Sequence, residues 1–203
     1  MKINYNELMK EEINSLDYVP RLLLHSCCGP CSTAVISRLT EYFDITVIYY
    51  NPNIEPQEEY EKRKKEQIKF LTEYKSINKV DFMDCDYSNE DFRKIVVGLE
   101  NEPEGGVRCH ACYRLRLEKT AKLASKNNYD YFCTTLTVSP YKNAQIINPI
   151  GESLAKEYNI KYLLSDFKKE EGYKKSIELA KEYDLYRQNY CGCLFSKVSS
   201  IDE

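Results

Sequence analysis

Residues 21–36 read RLLLHSCCGPCSTAVI. A short apolar strand (RLLLHS, 21–26) gives way to Gly29 and Pro30, and then to a helical stripe over 32–43 carried by Val35, Leu39 and Tyr42. Strand, tight turn and helix in that order open a βαβ unit, and the pattern repeats. Strands are expected at 45–50 (ITVIYY, closed by Asn51, Pro52 and Asn53), 79–84, 129–135 and 161–164. Helices are expected at 7–16, 56–73, 89–99, 143–158 and 170–183. A longer helix opens at Cys109 and Cys112 with an inner stripe of Tyr113, Leu117, Ala121 and Ala124. Such alternation implies an α/β layered domain with a mostly parallel sheet and flanking helices. Ligands of such sheets bind beyond the carboxyl ends of the strands, where CCGPC (27–31) falls.

The chain has 203 residues, 42% hydrophobic and 30% charged, with no repeat or low-complexity tract. No apolar run reaches the length of a membrane span, and the mixed-charge N-terminus reads as neither a signal nor a transit peptide. A cytoplasmic, non-membrane protein is therefore expected. A net charge of −3 argues against bulk nucleic-acid binding. Two basic stretches remain: Lys62, Arg63, Lys64 and Lys65, and the run holding Arg108, Arg114, Arg116, Lys119, Lys122 and Lys126. They read either as solvated helix faces or as a phosphate-binding patch for folded RNA.

Seven of the nine cysteines fall in three groups: Cys27, Cys28 and Cys31; Cys109 and Cys112; Cys191 and Cys193. In a reducing compartment such grouping points to metal or catalysis, not to a disulfide framework. Three chemistries compete. Paired CxxC motifs suit structural zinc but leave Cys27, Cys191 and Cys193 over. Cys28-Gly29-Pro30-Cys31 between a strand and a helix matches a thioredoxin-type thiol pair but leaves the other groups unexplained. An iron–sulfur cluster needs four thiolates and leaves three for a second metal or an easily reduced Cys191–Cys193 disulfide. Cys85 and Cys133 read as core residues, and His25 as a strand-end histidine satisfied by hydrogen bonds. The same His25, and His110, could alternatively tune a cluster or deliver protons; Asp86 and Asp166 are weaker candidates. No GxxxxGK(S/T) occurs, and CCGPCST stands where an ATP-pyrophosphatase fold would carry its phosphate loop.

Five segments, LLLHSCCGPCS, NPNIEPQEEYEKR, GVRCHACYRLRLEKTA, TTLTVSPYKN and GYKKSIELAKEYDLYRQNYCGCLFS, run in order from residue 22 to residue 196. Through them the chain resembles the QueH-type epoxyqueuosine reductases. The resemblance implies a Rossmann-like (HUP, ATP-pyrophosphatase-like) α/β fold with a metal site at the carboxyl ends of the strands. Residues 1–20 would be an N-terminal helical extension, and 21–203 one catalytic domain ending in the CGC segment. It implies a cytosolic oxidoreductase that removes the epoxide oxygen of epoxyqueuosine at the tRNA wobble position, the last step of queuosine synthesis. A thioredoxin-like oxidoreductase or a structural zinc module is the alternative. Carried onto this chain, Cys27, Cys28, Cys109 and Cys112 hold a 4Fe-4S cluster. Cys191 and Cys193 form a redox pair or hold a second, mononuclear iron with Cys31. The implied partners are tRNA and an unidentified electron donor. Arg108, Arg114 and Arg116 would meet anticodon phosphates, Tyr190 beside Arg187 would stack on a base, and the 134–142 loop would hold ribose or phosphate.

Overall fold

The computed structural model describes residues 2–199. Its centre is a sheet of five strands: β1 (Arg21–His25), β2 (Asp44–Tyr49), β3 (Val80–Asp84), β4 (Tyr131–Thr134) and β5 (Lys161–Tyr162). The order is β3-β2-β1-β4-β5, and every neighbouring pair is parallel. Among the described residues eight α-helices accompany them: α1 (Tyr5–Asn14), α2 (Gly29–Leu39), α3 (Gln57–Glu73), α4 (Asn89–Ile95), α5 (Val107–Lys126), α6 (Ala144–Tyr158), α7 (Gly172–Glu182) and α8 (Leu194–Ser199).

The period-two alternation of β1 builds both cores. Leu22 and Leu24 face one layer with Met9 and Ile13 of α1, Val35, Ile36 and Leu39 of α2, Phe70 of α3 and Ala180 of α7. Leu23 faces the other, with Leu117, Ala121 and Ala124 of α5 and Ile147 and Leu154 of α6. The expected inner stripe of α5 is buried in full. Burial on both faces explains why β1 and β4 read as continuous apolar runs.

The chain leaves β1 toward β2 on one side, while β4 lies on the other. The loops after β1 and β4 therefore diverge and open a crevice between them, where α/β sheets bind ligands. Several boundaries differ from expectation. α2 begins at Gly29, three residues early, because Pro30 is preorganised for a first helical turn. The residues after β4 form a 3-10 turn, Thr135–Val138, since the Thr134 side chain accepts from the Leu136 N–H. Helix α4 ends at Ile95, and β5 is only Lys161–Tyr162. Residues 200–203 of the expected domain lie outside the described residues.

Candidate functional site

Three elements bring the cysteines to this crevice. The turn from β1 into α2 places Cys27, Cys28 and Cys31 with their Sγ atoms within 4.8 Å of one another. Sulfurs bound to one tetrahedral ion at about 2.3 Å would lie roughly 3.8 Å apart, so the spacing suits a shared metal. Gly29 permits this turn: a Cβ there would lie 2.9 Å from the Glu66 carbonyl carbon of α3. Thr135, at the end of β4, ties the two diverging loops together. Its Oγ1 accepts from the Cys27 N–H (3.2 Å) and donates to Cys27 Sγ (3.5 Å).

Of the three thiols, Cys27 is the acidified one. Cys28 and Cys31 donate to Cys27, and Lys142 and Thr135 add to this, so the Cys27 pKa falls well below that of an ordinary thiol. Donation to Cys27 pushes Cys28 up to about 12, and Cys31 also rises well above its usual range. The same logic governs the C-terminal pair. Donation from Cys193, with the charges of Lys142 and Arg116, lowers Cys191, while Cys193 rises because it donates. The two acidified thiols, Cys27 and Cys191, thus both lie within reach of Lys142 and Arg116. Burial raises both thiols of α5, Cys112 to about 11, and the Cys191 charge raises them further.

The CGC segment is held by α3 and α5. Arg63 donates from Nη1 to the Cys191 carbonyl (3.0 Å), and Glu59 anchors it through Nε (2.7 Å). The Glu55 N–H donates to the Gly192 carbonyl (2.9 Å). Gly192 has φ +108°, and a Cβ there would lie 2.9 Å from Arg63 Nη1. Cys193 packs with Cys112 of α5 and Phe92 of α4 in a small apolar cluster. The three cysteine groups lie in one region, with Cys191 within electrostatic reach of Cys27, Cys109 and Cys112, and Cys193 in the apolar cluster that buries Cys112; Cys109 and Cys112 do not join the close triplet. Among the described residues, Cys27, Cys28 and Cys31 form the one group of at least three ligand atoms this close. A cavity of about 600 Å³ opens on them, lined by Cys27, Cys31, Cys191, Arg63, Arg116 and Lys142 among others.

His25 is fully buried: Nε2 donates to the Tyr50 carbonyl (3.1 Å), so Nδ1 accepts from the Thr134 hydroxyl (2.9 Å). Burial, reinforced by Arg116, lowers its pKa to about 3, and it stays neutral as a structural strut. Cys133 is buried in β4 and donates to the Leu163 carbonyl. Asp166 pairs with Lys168, and Asp86 is exposed.

Several expected RNA contacts are corrected. Arg108 is buried and spends Nη1 on the carbonyls of Leu99, Glu100 and Glu102. Arg116 is 2% exposed, facing sulfur rather than solvent, whereas Arg114, paired with Glu157, keeps 43% of its side chain exposed and does not contradict the expectation. In the other basic run Arg63 is buried, while Lys64 pairs with Glu61 and Asp84. Thr134, Thr135 and Thr137 are buried and used internally, so their hydroxyls are unavailable to ribose or phosphate. Tyr190 lines the cavity, packed on Arg63, and Arg187 lies over Tyr173. Sequence reading missed Asn51, Asn53 and Gln188 as cavity residues, and took Arg63 and Lys142 only as parts of a basic run and of the 134–142 loop. The position of Asn51 and Asn53 at the carboxyl end of a strand was the available signal.

A sulfur-lined cavity at the switch point of a Rossmann-like sheet defines a cysteine-rich metal or redox protein. Residues 22–199 match the family model "Epoxyqueuosine reductase QueH", and the chain belongs to that family. Proteins called "Epoxyqueuosine reductase QueH" are 45% identical in Streptococcus pyogenes (99% of this chain, 81% of the relative) and 45% in Staphylococcus epidermidis (97% and 86%). The relative in Thermotoga maritima is 36% identical (86% and 89%). Among solved structures, the predicted subunit of a tRNA methyltransferase from Methanocaldococcus jannaschii shares the fold. It has TM-score 0.52 and 17% identity, over 81% of this chain and 75% of that one.

Proposed function

We propose that this protein removes the epoxide oxygen of epoxyqueuosine in tRNA, using an iron–sulfur centre held by the converging cysteines. The family match supports the reaction, and it does not favour the thioredoxin-like or structural-zinc alternatives. The observation that carries the metal reading is the close triplet Cys27, Cys28 and Cys31 at a cavity that Cys191 also lines. The donor set fits: soft sulfurs select iron–sulfur chemistry over hard cations, and neighbouring donors and cations lower the pKa of two of them, Cys27 and Cys191. In this reading Cys27, Cys28, Cys109 and Cys112 hold a 4Fe-4S cluster. Cys191 and Cys193 form a redox pair or, with Cys31, hold a second iron. Cys31 shares the triplet with two of the cluster residues, which supports adjacent centres.

Opening an epoxide to an alkene takes two electrons and two protons and releases water. When bound, an iron–sulfur centre supplies electrons singly at low potential. The chain's own groups handle charge. Burial pulls the Lys142 pKa down, but the surrounding sulfurs of Cys191, Cys27 and Cys31 more than offset it and keep the ammonium protonated. With the buried Arg116 it sets positive charge where the departing oxygen becomes negative. At the mouth, Tyr141 is 81% exposed and offers a stacking face to an anticodon base. No described helix is long and apolar enough to cross a membrane, which accords with a soluble tRNA enzyme.

The test is conversion of epoxyqueuosine to queuosine in tRNA by anaerobically reconstituted protein with a chemical reductant, read by nucleoside mass spectrometry. Wild type should convert, with roughly four or more irons per chain. Cys27→Ser should lose both iron and product. Full turnover by iron-free protein would refute the metal reading.

A further inference from the structure

Three buried amide oxygens of the cavity lack a hydrogen-bond partner, and two of them lie one residue apart in the chain. Asn51 and Asn53, each 1% exposed, line the cavity, and Oδ1 of each lacks a hydrogen-bond partner. Asn51 cannot turn its amide round, because its Nδ2 donates to the Ser26 carbonyl (2.8 Å); flipping would set oxygen against oxygen. Ser26 directly precedes Cys27, so this amide is fixed beside the sulfur centre. Buried polar groups are normally paired, and an orphan acceptor in a cavity marks a missing donor.

The chemistry of the donor can be narrowed. Three other cavity atoms are also unpaired: Arg63 Nη2, Arg116 Nη2 and Gln188 Oε1. The guanidinium groups have cysteine sulfurs nearby, Cys28 at Arg63 and Cys112, Cys191 and Cys27 at Arg116. The amide oxygens have no such complement. The Asn51 oxygen, fixed by its Nδ2 bond, can only accept, so it binds no anion. A soft, sulfur-held metal does not choose amide oxygens. What remains is a neutral or cationic ligand presenting O–H or N–H donors within reach of the sulfurs.

We propose that Asn51 and Asn53 recognise the vicinal hydroxyls on the cyclopentane ring of the substrate, holding that ring by its diol so that its epoxide faces the sulfur centre. This rests on the epoxyqueuosine reading above. The epoxide-bearing ring must enter the cavity to be reduced, and its two adjacent hydroxyls match two acceptors separated in sequence by one proline. Both residues act as specificity determinants: they sort substrates by the ring, whereas the nucleobase is held with the anticodon.

The experiment compares two anticodon stem-loops on anaerobically reconstituted protein. One carries epoxyqueuosine, and the other an analogue that keeps the epoxide but lacks both ring hydroxyls. Equilibrium binding and kcat/KM are measured for wild type and Asn53→Leu. A site built around substrate hydroxyls rejects the analogue lacking them, so wild type should lose at least about 100-fold in kcat/KM and bind the analogue more weakly. In Asn53→Leu that discrimination should shrink by about 10-fold or more, because natural substrate suffers and the analogue does not. Equal binding and turnover of both stem-loops by wild type would overturn the proposal, as would an Asn53→Leu loss equal for both. Should wild type reduce neither, the functional reading falls, while the ratio of the two binding constants still decides the hydroxyl assignment. The wild-type comparison requires no variant to fold.

Discussion

The two sulfur groups that share the cavity are built in opposite ways. Cys27, Cys28 and Cys31 lie within one strand–turn–helix unit, seated between β1, whose neighbours are β2 and β4, and the first turn of α2. Their positions follow from elements with large buried faces. Cys191 and Cys193 belong to no strand and precede a helix of only six residues. They are placed by a few contacts to their backbone, chiefly from the Arg63 side chain to Cys191 and from the Glu55 N–H to Gly192. One half of the site is thus as stable as the core, and the other half is docked onto it. Local opening should differ accordingly, because segments with few buried contacts open at far lower free energy than central strands.

Arg63→Leu gives the largest test of this contrast. It leaves Glu59 partly buried without its cation and frees the Cys191 carbonyl, a loss of about 3 kcal/mol for a broken buried pair. Because Arg63 grips only the docked half, the damage should be local. In metal-free, reduced protein, Cys191 should be alkylated much faster and the chain cut more readily near residue 190, while Cys27 reactivity changes little. Equal acceleration at Cys27 would mean that the triplet depends on the docked segment after all.

The two glycines sharpen the same comparison at lower cost. In Gly192→Ala the new residue would hold φ +108° and press on Arg63, a strain of about 1–3 kcal/mol confined to the C-terminal segment. In Gly29→Ala the Cβ meets backbone atoms of Glu66 and Gln67 at 2.9–3.0 Å, so α2 and α3 must separate. The first should raise Cys191 exposure and leave Tm nearly unchanged. The second should lower Tm by several degrees, measured by calorimetry.

The same division explains what could be read from the chain. β1, the turn and α2 were legible because apolar periodicity, Gly29 and Pro30 act within a few residues of one another. The α5 stripe was legible for the same reason. The fates of Arg63, Arg108 and Arg116 were not. Charge in a row reads as a solvated face, yet each guanidinium is buried by partners far away in the fold or by carbonyls of an irregular turn. The hydroxyls after β4 misled in the same manner: composition suggested ligand contact, whereas capping and loop-to-loop bonds consume them. Convergence of the cysteines was legible as a requirement of the chemistry. The placement of Cys193 beside Cys112 needed the tertiary packing of α4, α5 and α8.

The smallest effect tests how the rigid half controls its thiolate. Cys27 is acidified first by donation from Cys28 and Cys31, with Lys142 and the Thr135 hydroxyl as lesser contributors. Thr135→Val removes that hydroxyl and leaves the Cys27 N–H without its acceptor. A lost donor disfavours the thiolate, so the Cys27 pKa must rise, and at fixed pH the thiolate fraction must fall. In metal-free, reduced protein the pH profile of Cys27 alkylation should move to higher pH by less than about one pH unit. Thr135→Ser keeps the hydroxyl and should restore the wild-type profile. In Thr135→Val the Cys191 profile should move far less, and to lower pH, since Cys193, Lys142 and Arg116 dominate it and the Cys27 charge, which raises it, is the lesser influence. A shift at Cys191 as large as that at Cys27 would show the two thiolates titrating as one unit, and the distinction between a built half and a docked half would then hold for packing but not for charge.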